Sequence, residues 1–206
     1  MIDTNLVVLQ GVLEEKPAPI GEDCGEKIYM AMVRVMRASG AADVLPVIMG
    51  EYTLARRLSA LEAGTKVRVE GELRRYEMHE GAYRARLRVF AKKLDVDPKG
   101  DSCNLVQMTC TVCKPGEKRV TAKGREMCYM KGEAHMRNRI AYVPMVAWGR
   151  MSDFAAALEA GEKISVQGRL QSREYVKRQQ DGSLETRTAY EVSLQRLKLY
   201  EDTEVE

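Results

Sequence analysis

The 206-residue chain lacks any apolar run near the ~18 residues that a membrane-spanning helix needs, so no membrane association is expected. The first residues, Met1-Ile-Asp-Thr-Asn-Leu, carry no basic start and no long apolar stretch, so no signal peptide is visible. The five cysteines are an odd number, which argues against a disulfide scaffold and for a reducing, cytoplasmic compartment. Histidine is scarce: only His79 and His135, both among polar or charged neighbours, leaving little for histidine-based catalysis. No His/Asp/Ser constellation, Gly-rich phosphate loop or paired-carboxylate motif is present. An enzyme is not expected, and no cofactor is expected.

Charge is abundant but nearly balanced, with 33 basic against 30 acidic side chains and a net charge of +3. The last six residues, Glu201–Glu206, hold four acids and no base, so the rest of the chain is 33 minus 26, or +7. At 45% hydrophobic residues the chain can bury a core, and its length suits one large domain or two small ones.

The most informative feature is internal repetition. Asn5-Leu-Val-Val-Leu returns as Asn104-Leu-Val-Gln-Met, and Lys16-Pro17 as Lys114-Pro115. Leu61–Leu73 returns as Leu158–Leu170, identical at eight of thirteen positions without a gap. Two copies of one domain are expected, 1–97 and 102–206, joined by the polar stretch Asp95–Ser102 with its Pro and Gly. Each copy reads as an apolar strand (Leu6–Leu13, Leu105–Val112), then a charged turn and a second strand (Ile28–Arg37, Arg125–Met136). A third strand runs to Gly50 or Gly149, and a short helix follows. The helix faces are Leu54, Leu58 and Leu61 in one copy and Met151, Phe154 and Leu158 in the other. Thr53 and Ser152 are the expected N-caps, and Gly64 and Gly161 the expected helix ends. A long alternating strand and a last strand (Tyr83–Leu94, Tyr190–Tyr200) complete each copy. Five strands with a helix between the third and fourth is the order of an OB-fold, so the expected architecture is all-β: two tandem OB-fold five-stranded barrels, each with one short helix.

The fourth strand of the second copy alternates clearly. Ile164, Val166, Gly168 and Leu170 point one way, and Ser165, Gln167, Arg169, Gln171, Arg173, Tyr175 and Lys177 the other. Such a row meets phosphates with its cations and stacks a base on its aromatic, although a solvated strand face is also polar. Copy one places Glu70 and Glu72 where copy two has Gln167 and Arg169, while Arg68, Arg74, Arg75 and Tyr76 remain. The two copies are therefore not expected to bind a polyanion equally. Tyr142 and Trp148 lie an even number apart on the third strand and share a face, although a lone Trp can equally anchor a core. Lys114–Arg139 carries eight Lys or Arg, Arg137 and Arg139 among them, against three Glu. That segment is either a solvated hairpin or a phosphate-tracking arm. Cys110-x-x-Cys113, with Cys103, Cys128 and His135, offers a metal spacing. An odd separation puts Cys110 and Cys113 on opposite strand faces, so buried or half-buried thiols are expected rather than a metal site.

Copy two resembles the bacterial single-stranded DNA-binding proteins. The resemblance rests on Asn104-Leu-Val, Val146-Ala-Trp-Gly-Arg150, Ile164-Ser-Val-Gln-Gly-Arg-Leu-Gln-Ser-Arg-Glu-Tyr175, the Asp181-Gly182 turn and Thr188-Ala-Tyr-Glu-Val192. It implies base stacking on Tyr142, Trp148 and Tyr175, with Arg137, Arg139, Arg150, Arg169, Arg173 and Lys177 on phosphates and Arg74, Arg75 and Tyr76 as weaker contributors from copy one. In copy one, Met49 is aligned with Trp148, Met78 with Tyr175 and a position near Asp43 with Tyr142. The implied role is a single-stranded DNA-binding protein that coats and protects strands in replication, repair or recombination, in the cytoplasm with the nucleoid. The tandem form implies a homodimer with four OB domains. Replication or recombination proteins are possible partners, although the acidic end Glu201–Glu206 has no terminal apolar anchor of the kind that recruits them in the family. The competing expectation is an OB-fold protein-interaction or primosome-type adaptor with weak nucleic-acid binding, favoured by Glu70 and Glu72.

Overall fold

The computed structural model describes residues 3–54, 58–76, 86–179 and 181–201, with the side chain of Leu58 excepted. Met78, His79, the expected strand start at Tyr83 and the acidic residues 202–206 lie outside the described residues.

The first half forms β1 (Asn5–Leu13), β2 (Ala18–Asp23), β3 (Glu26–Met36), β4 (Ala42–Gly50), α1 (Glu51–Leu54), β5 (Lys66–Tyr76) and β6 (Arg86–Val96). The second half repeats the order with β7 (Cys103–Val112), β8 (Glu117–Val120), β9 (Glu126–Met136), β10 (Arg139–Trp148), α2 (Arg150–Ala157), β11 (Lys163–Arg178) and β12 (Leu184–Leu199). In each half the first strand pairs with both the third and the fifth, and the fourth runs parallel to the sixth. That closes two OB-fold barrels. Each half has one strand more than expected: the segment read as a charged turn makes β2 or β8, which pairs in a hairpin with the strand after it.

The two barrels share one sheet. β1 lies antiparallel to β7, with Asn5 opposite Met108 and Leu9 opposite Asn104. Asn5 and Asn104 are repeat counterparts, so this register is a local two-fold axis. Alternation sends Val7 and Leu9 into one barrel and Val106 and Met108 into the other, and the buried side chains form one connected core.

Two repeated residues have clear causes. The Asn5 amide accepts from the Leu73 N–H and donates to the Leu73 carbonyl, and Asn104 does the same with Leu170. Each stitches the start of its strand to the middle of a neighbour. Gly71 and Gly168 sit at matching β-bulges, where a Cβ would collide with the carbonyl oxygen of Phe90 or Ser193.

The helices depart from expectation. α1 is only four residues long and contains Thr53, whose hydroxyl bonds the Ala91 carbonyl; the Glu26 carboxylate instead accepts from the Tyr52 N–H. In α2 the N-cap is Gly149, and Ser152 lies inside, buried, bonding the Gly149 carbonyl. Met151 and Leu158 pack on the core as expected, whereas Phe154 is 41% exposed and Ala155 takes the buried place. Gly64 and Gly161 come after the helices, and their N–H groups bond Leu13 and Val112 across to the first strand of each barrel. No helix among the described residues is long and apolar enough to cross a membrane.

Candidate nucleic-acid interface

Period-two alternation gives the second barrel a distinctive outer face. Cys128, Met130, Ala141, Val143, Met145 and Ala147 turn inward. Outward, the β9–β10 ladder sets Met127 beside Trp148, Tyr129 beside Val146, Lys131 beside Pro144 and Glu133 beside Tyr142. The long β11–β12 hairpin adds Gln171 beside Glu191, Arg173 beside Ala189, Tyr175 beside Arg187 and Lys177 beside Glu185. These two surfaces meet in a groove of about 1070 Å³.

Among the described residues, five aromatic rings line it: Tyr129, Tyr142, Trp148, Tyr175 and Tyr190. Three carry a cation near the ring, with Arg125 5.5 Å from the Trp148 centroid, Lys131 5.2 Å from Tyr142 and Arg173 5.9 Å from Tyr175. Among the described residues, eight cations line the groove (Arg75, Arg86, Lys114, Arg119, Lys131, Arg173, Lys177 and Arg187) against the three acids Glu117, Glu185 and Glu191. The surplus of five makes the groove positive, where the chain as a whole is nearly neutral. Burial pushes the Tyr129 hydroxyl pKa up, helped by Glu191, and burial does the same for Tyr190. The neighbouring charge of Glu133 raises Tyr142. All three stay neutral at physiological pH and so do not repel an anion.

The expected site residues fall into groups. Tyr142, Trp148, Tyr175, Arg173, Lys177 and Arg75 come together in the groove. Arg74, Arg137 and Arg139 line a separate 390 Å³ cleft with Lys92 and Glu72. Neighbouring residues Arg74 and Arg75 are split between the two cavities because they point to opposite faces of β5. Arg74 packs 3.7 Å from the Phe90 ring, and Arg139 donates to Asp23 across the junction of the barrels at 2.9 Å. Tyr76 lies opposite Arg86 on the β5–β6 ladder, within electrostatic reach of Asp23. Arg150 is exposed at the first position of α2. Arg169 is turned to the junction, where it donates to the fully buried Asp43 at 3.0 Å. Tyr129, Tyr190, Arg86 and Arg187 join the groove without having been singled out. Tyr129 was legible in principle, being an even step from Met127 on a strand facing Trp148.

Among the described residues, the first barrel shows no matching surface on its third strand. From the paired registers Leu13–Val33 and Val112–Gly132, the ladders place Gly50 opposite Ile28 where Trp148 stands opposite Met127. The counterpart of Trp148 is therefore Gly50, and Met49 matches Ala147 in the core, which corrects the sequence alignment by one residue. The Glu26 carboxylate occupies the space a side chain at Gly50 would need. The counterpart of Tyr142 is Val44, whose N–H bonds Ser172 of the second barrel. Glu72 is neutralised locally by Arg74 and Lys92, so it is not the bare negative charge expected from the sequence.

Cys110 and Cys128 are buried in the core and Cys113 is half-buried. Among the described residues no group of three or more His, Cys, Asp or Glu is placed to hold a metal ion.

Residues 103–200 match the model of the single-strand binding protein family. The wild-type single-stranded DNA binding protein from Thermus aquaticus superposes with a TM-score of 0.79 at 19% identity, covering 100% of this chain and 97% of that one. A deletion mutant of that protein gives 0.77 at 21% identity, covering 100% and 98%. The dimeric N-terminal domain of the PriB protein from Thermoanaerobacter tencongensis is 32% identical over 46% of this chain and 98% of that one, with a TM-score of 0.40. No curated protein sequence matches the chain. Over residues 103–200 the second half of the chain is thus similar to the single-strand binding protein family, and the chain carries the OB-fold twice.

Proposed function

We propose that the chain coats and protects single-stranded DNA exposed in replication, repair or recombination. One observation carries this reading: Tyr142, Trp148 and Tyr175 share a groove with eight cations and three acids. Bases stack on the rings, and every base has a π-face, so the contact tolerates any sequence. Lys and Arg hold the phosphates and release counterions, so affinity falls as salt rises. Arg137, Arg139 and Arg74, in the neighbouring cleft, would extend the phosphate track beyond the groove.

The site lies almost wholly on the second domain, residues 102–206, with residues 1–97 as another domain whose described third-strand positions, Val44 and Gly50, are taken up by Ser172 and Glu26. Two chains would pair through the outer face of the shared sheet, where Leu6 and Val12 are exposed, to give four OB domains. Trp148 is the chain's only tryptophan, so its fluorescence reports on the groove. An oligonucleotide should quench it, more strongly at low salt than at high. The absence of both quenching and a mobility shift at low salt would refute the function.

A further inference from the structure

The floor of the groove holds a buried polar pair that base stacking does not use. Glu191 and Gln171 stand directly opposite on the β11–β12 ladder and both line the groove, at only 4% and 7% exposure. The Gln171 amide donates to Glu191 at 2.8 Å and accepts from Arg169 at 3.2 Å. Arg169 is itself held by the fully buried Asp43. The amide therefore has one orientation, with its nitrogen toward the carboxylate. Arg173 flanks Glu191 at 3.5 Å, on the same Oε1 that the amide reaches. Carrying the Met145–Val192 register back by one residue sets Glu191 beside Pro144, between the Tyr142 and Trp148 positions of β10. Tyr175 follows Gln171 on the same face of β11.

The pair carries a pattern that distinguishes bases. A carboxylate is acceptor-only, and a primary amide has two N–H groups, of which Glu191 takes one. An acceptor and a donor thus stand side by side. Cytosine presents the complement, an amino donor at N4 beside the acceptor N3, and adenine does so with N6 beside N1 or N7. On their Watson–Crick edges thymine, uracil and guanine present a keto oxygen and a ring N–H in the opposite order. Their oxygen would face the carboxylate, acceptor against acceptor, with both left unpaired at a buried site. A base stacked on a neighbouring ring turns one edge toward what lies beside that ring. Stacking tolerates every base, but the Glu191–Gln171 floor does not.

We infer that Glu191, with the Gln171 amide beside it, gives the groove a preference for the amino-bearing bases cytosine and adenine over the keto-bearing bases thymine, uracil and guanine. This rests on the single-stranded DNA reading above and adds a base preference to it. The test is binding of oligo-dC and oligo-dU of equal length, read by Trp148 quenching on the full chain at neutral pH. These two bases match in size and differ at the edge the pair reads, so the ratio of affinities cancels stacking and phosphate contacts. The wild-type chain should bind oligo-dC about tenfold more tightly, a discrimination within the reach of one bidentate base contact. Glu191→Gln keeps the size of the side chain and brings the ratio close to one, because an amide can turn either its oxygen or its nitrogen outward. Glu14→Gln also removes one negative charge, but Glu14 pairs with Arg34 and does not line the groove, so the ratio stays at its wild-type value. Thermal melting establishes that each variant is folded, and the wild-type ratio is decisive without any variant. Equal affinity of the wild-type chain for the two oligomers overturns the preference and leaves the binding function standing. A ratio that survives Glu191→Gln, or that also falls in Glu14→Gln, overturns its assignment to this pair. Failure of both oligomers to quench overturns the binding function itself.

Discussion

Trp148, Tyr142 and Tyr175 carry the strongest single-residue predictions. Replacing any one by Ala should weaken oligonucleotide binding by ~1–3 kcal/mol, the worth of one stacked base. Tyr76→Ala should cost much less, since Tyr76 lies beside Asp23 rather than in the groove. Equal losses for Tyr76→Ala and Tyr175→Ala in a fluorescence titration would contradict the division of labour between the barrels. That these three rings would share one surface was legible in the sequence, because alternation and resemblance agreed on them. The loss of a partner for Trp148 in the first half was legible, but its cause was not. Aligning the strand-end glycines put Met49 in register with Trp148, and a slip of one residue exchanges the two faces of a strand. Met49 is core, and Gly50 is the residue that faces outward under Glu26. The cysteines give a separate prediction. Burial pushes the Cys110 thiol up to about 12, so almost no thiolate exists at neutral or mildly alkaline pH. A thiol reagent at pH 8 should modify the exposed Cys24 quickly and Cys110 only on unfolding, and equal native-state rates at the two sites would refute this burial.

Single strands explain what the repeats keep. Asn5 and Asn104 each make two hydrogen bonds to a neighbouring strand's backbone. Asn5→Ala and Asn104→Ala should each destabilise the fold by about 1–3 kcal/mol, measured by denaturant melts, because both leave Leu73 or Leu170 polar groups unpaired. A large loss at one site and none at the other would contradict their equivalence. The five-strand order and the β11 alternation were readable because hydrophobic period fixes which face is buried. β2 and β8 were not readable. The four residues of β8 are all exposed, so no burial pattern marks them, and pairing with the next strand alone makes them strands. The helix ends were misread for a similar reason. Thr53 and Ser152 have the chemistry of caps but each sits three residues too late, because α1 and α2 begin directly after the strand-end glycines.

Across the whole molecule, the junction is polar and should respond to acid. Asp23 is held below the ordinary carboxylate value: burial opposes this, but the bonds from Arg139 and Cys24 outweigh it. Glu72 is lowered as well, its burial outweighed by Lys92 and Arg74. Folded pKa values below the unfolded ones of 3.8 and 4.5 give stability that is complete above about pH 5 and is lost as pH falls through the lowered values. The melting temperature should therefore hold level from pH 7 to 5 and fall below pH 4. Asp23→Asn should lower it at neutral pH and flatten the acid decline, and an unchanged decline would remove Asp23 from that role. No reading of the sequence could have paired Asp23 with Arg139, because the contact exists only once β1 and β7 join the barrels. That shared ladder also bears on how the two halves could come to differ. In an assembly of identical subunits every substitution is made twice, so a carboxylate placed at an interface faces its own copy's surroundings on both sides. Here Asp43 meets Arg169, while its counterpart across the two-fold axis, Ala141, carries no charge. Joining the halves in one polypeptide frees each from the other's sequence, so one interface can be sealed while its twin is kept open to a ligand.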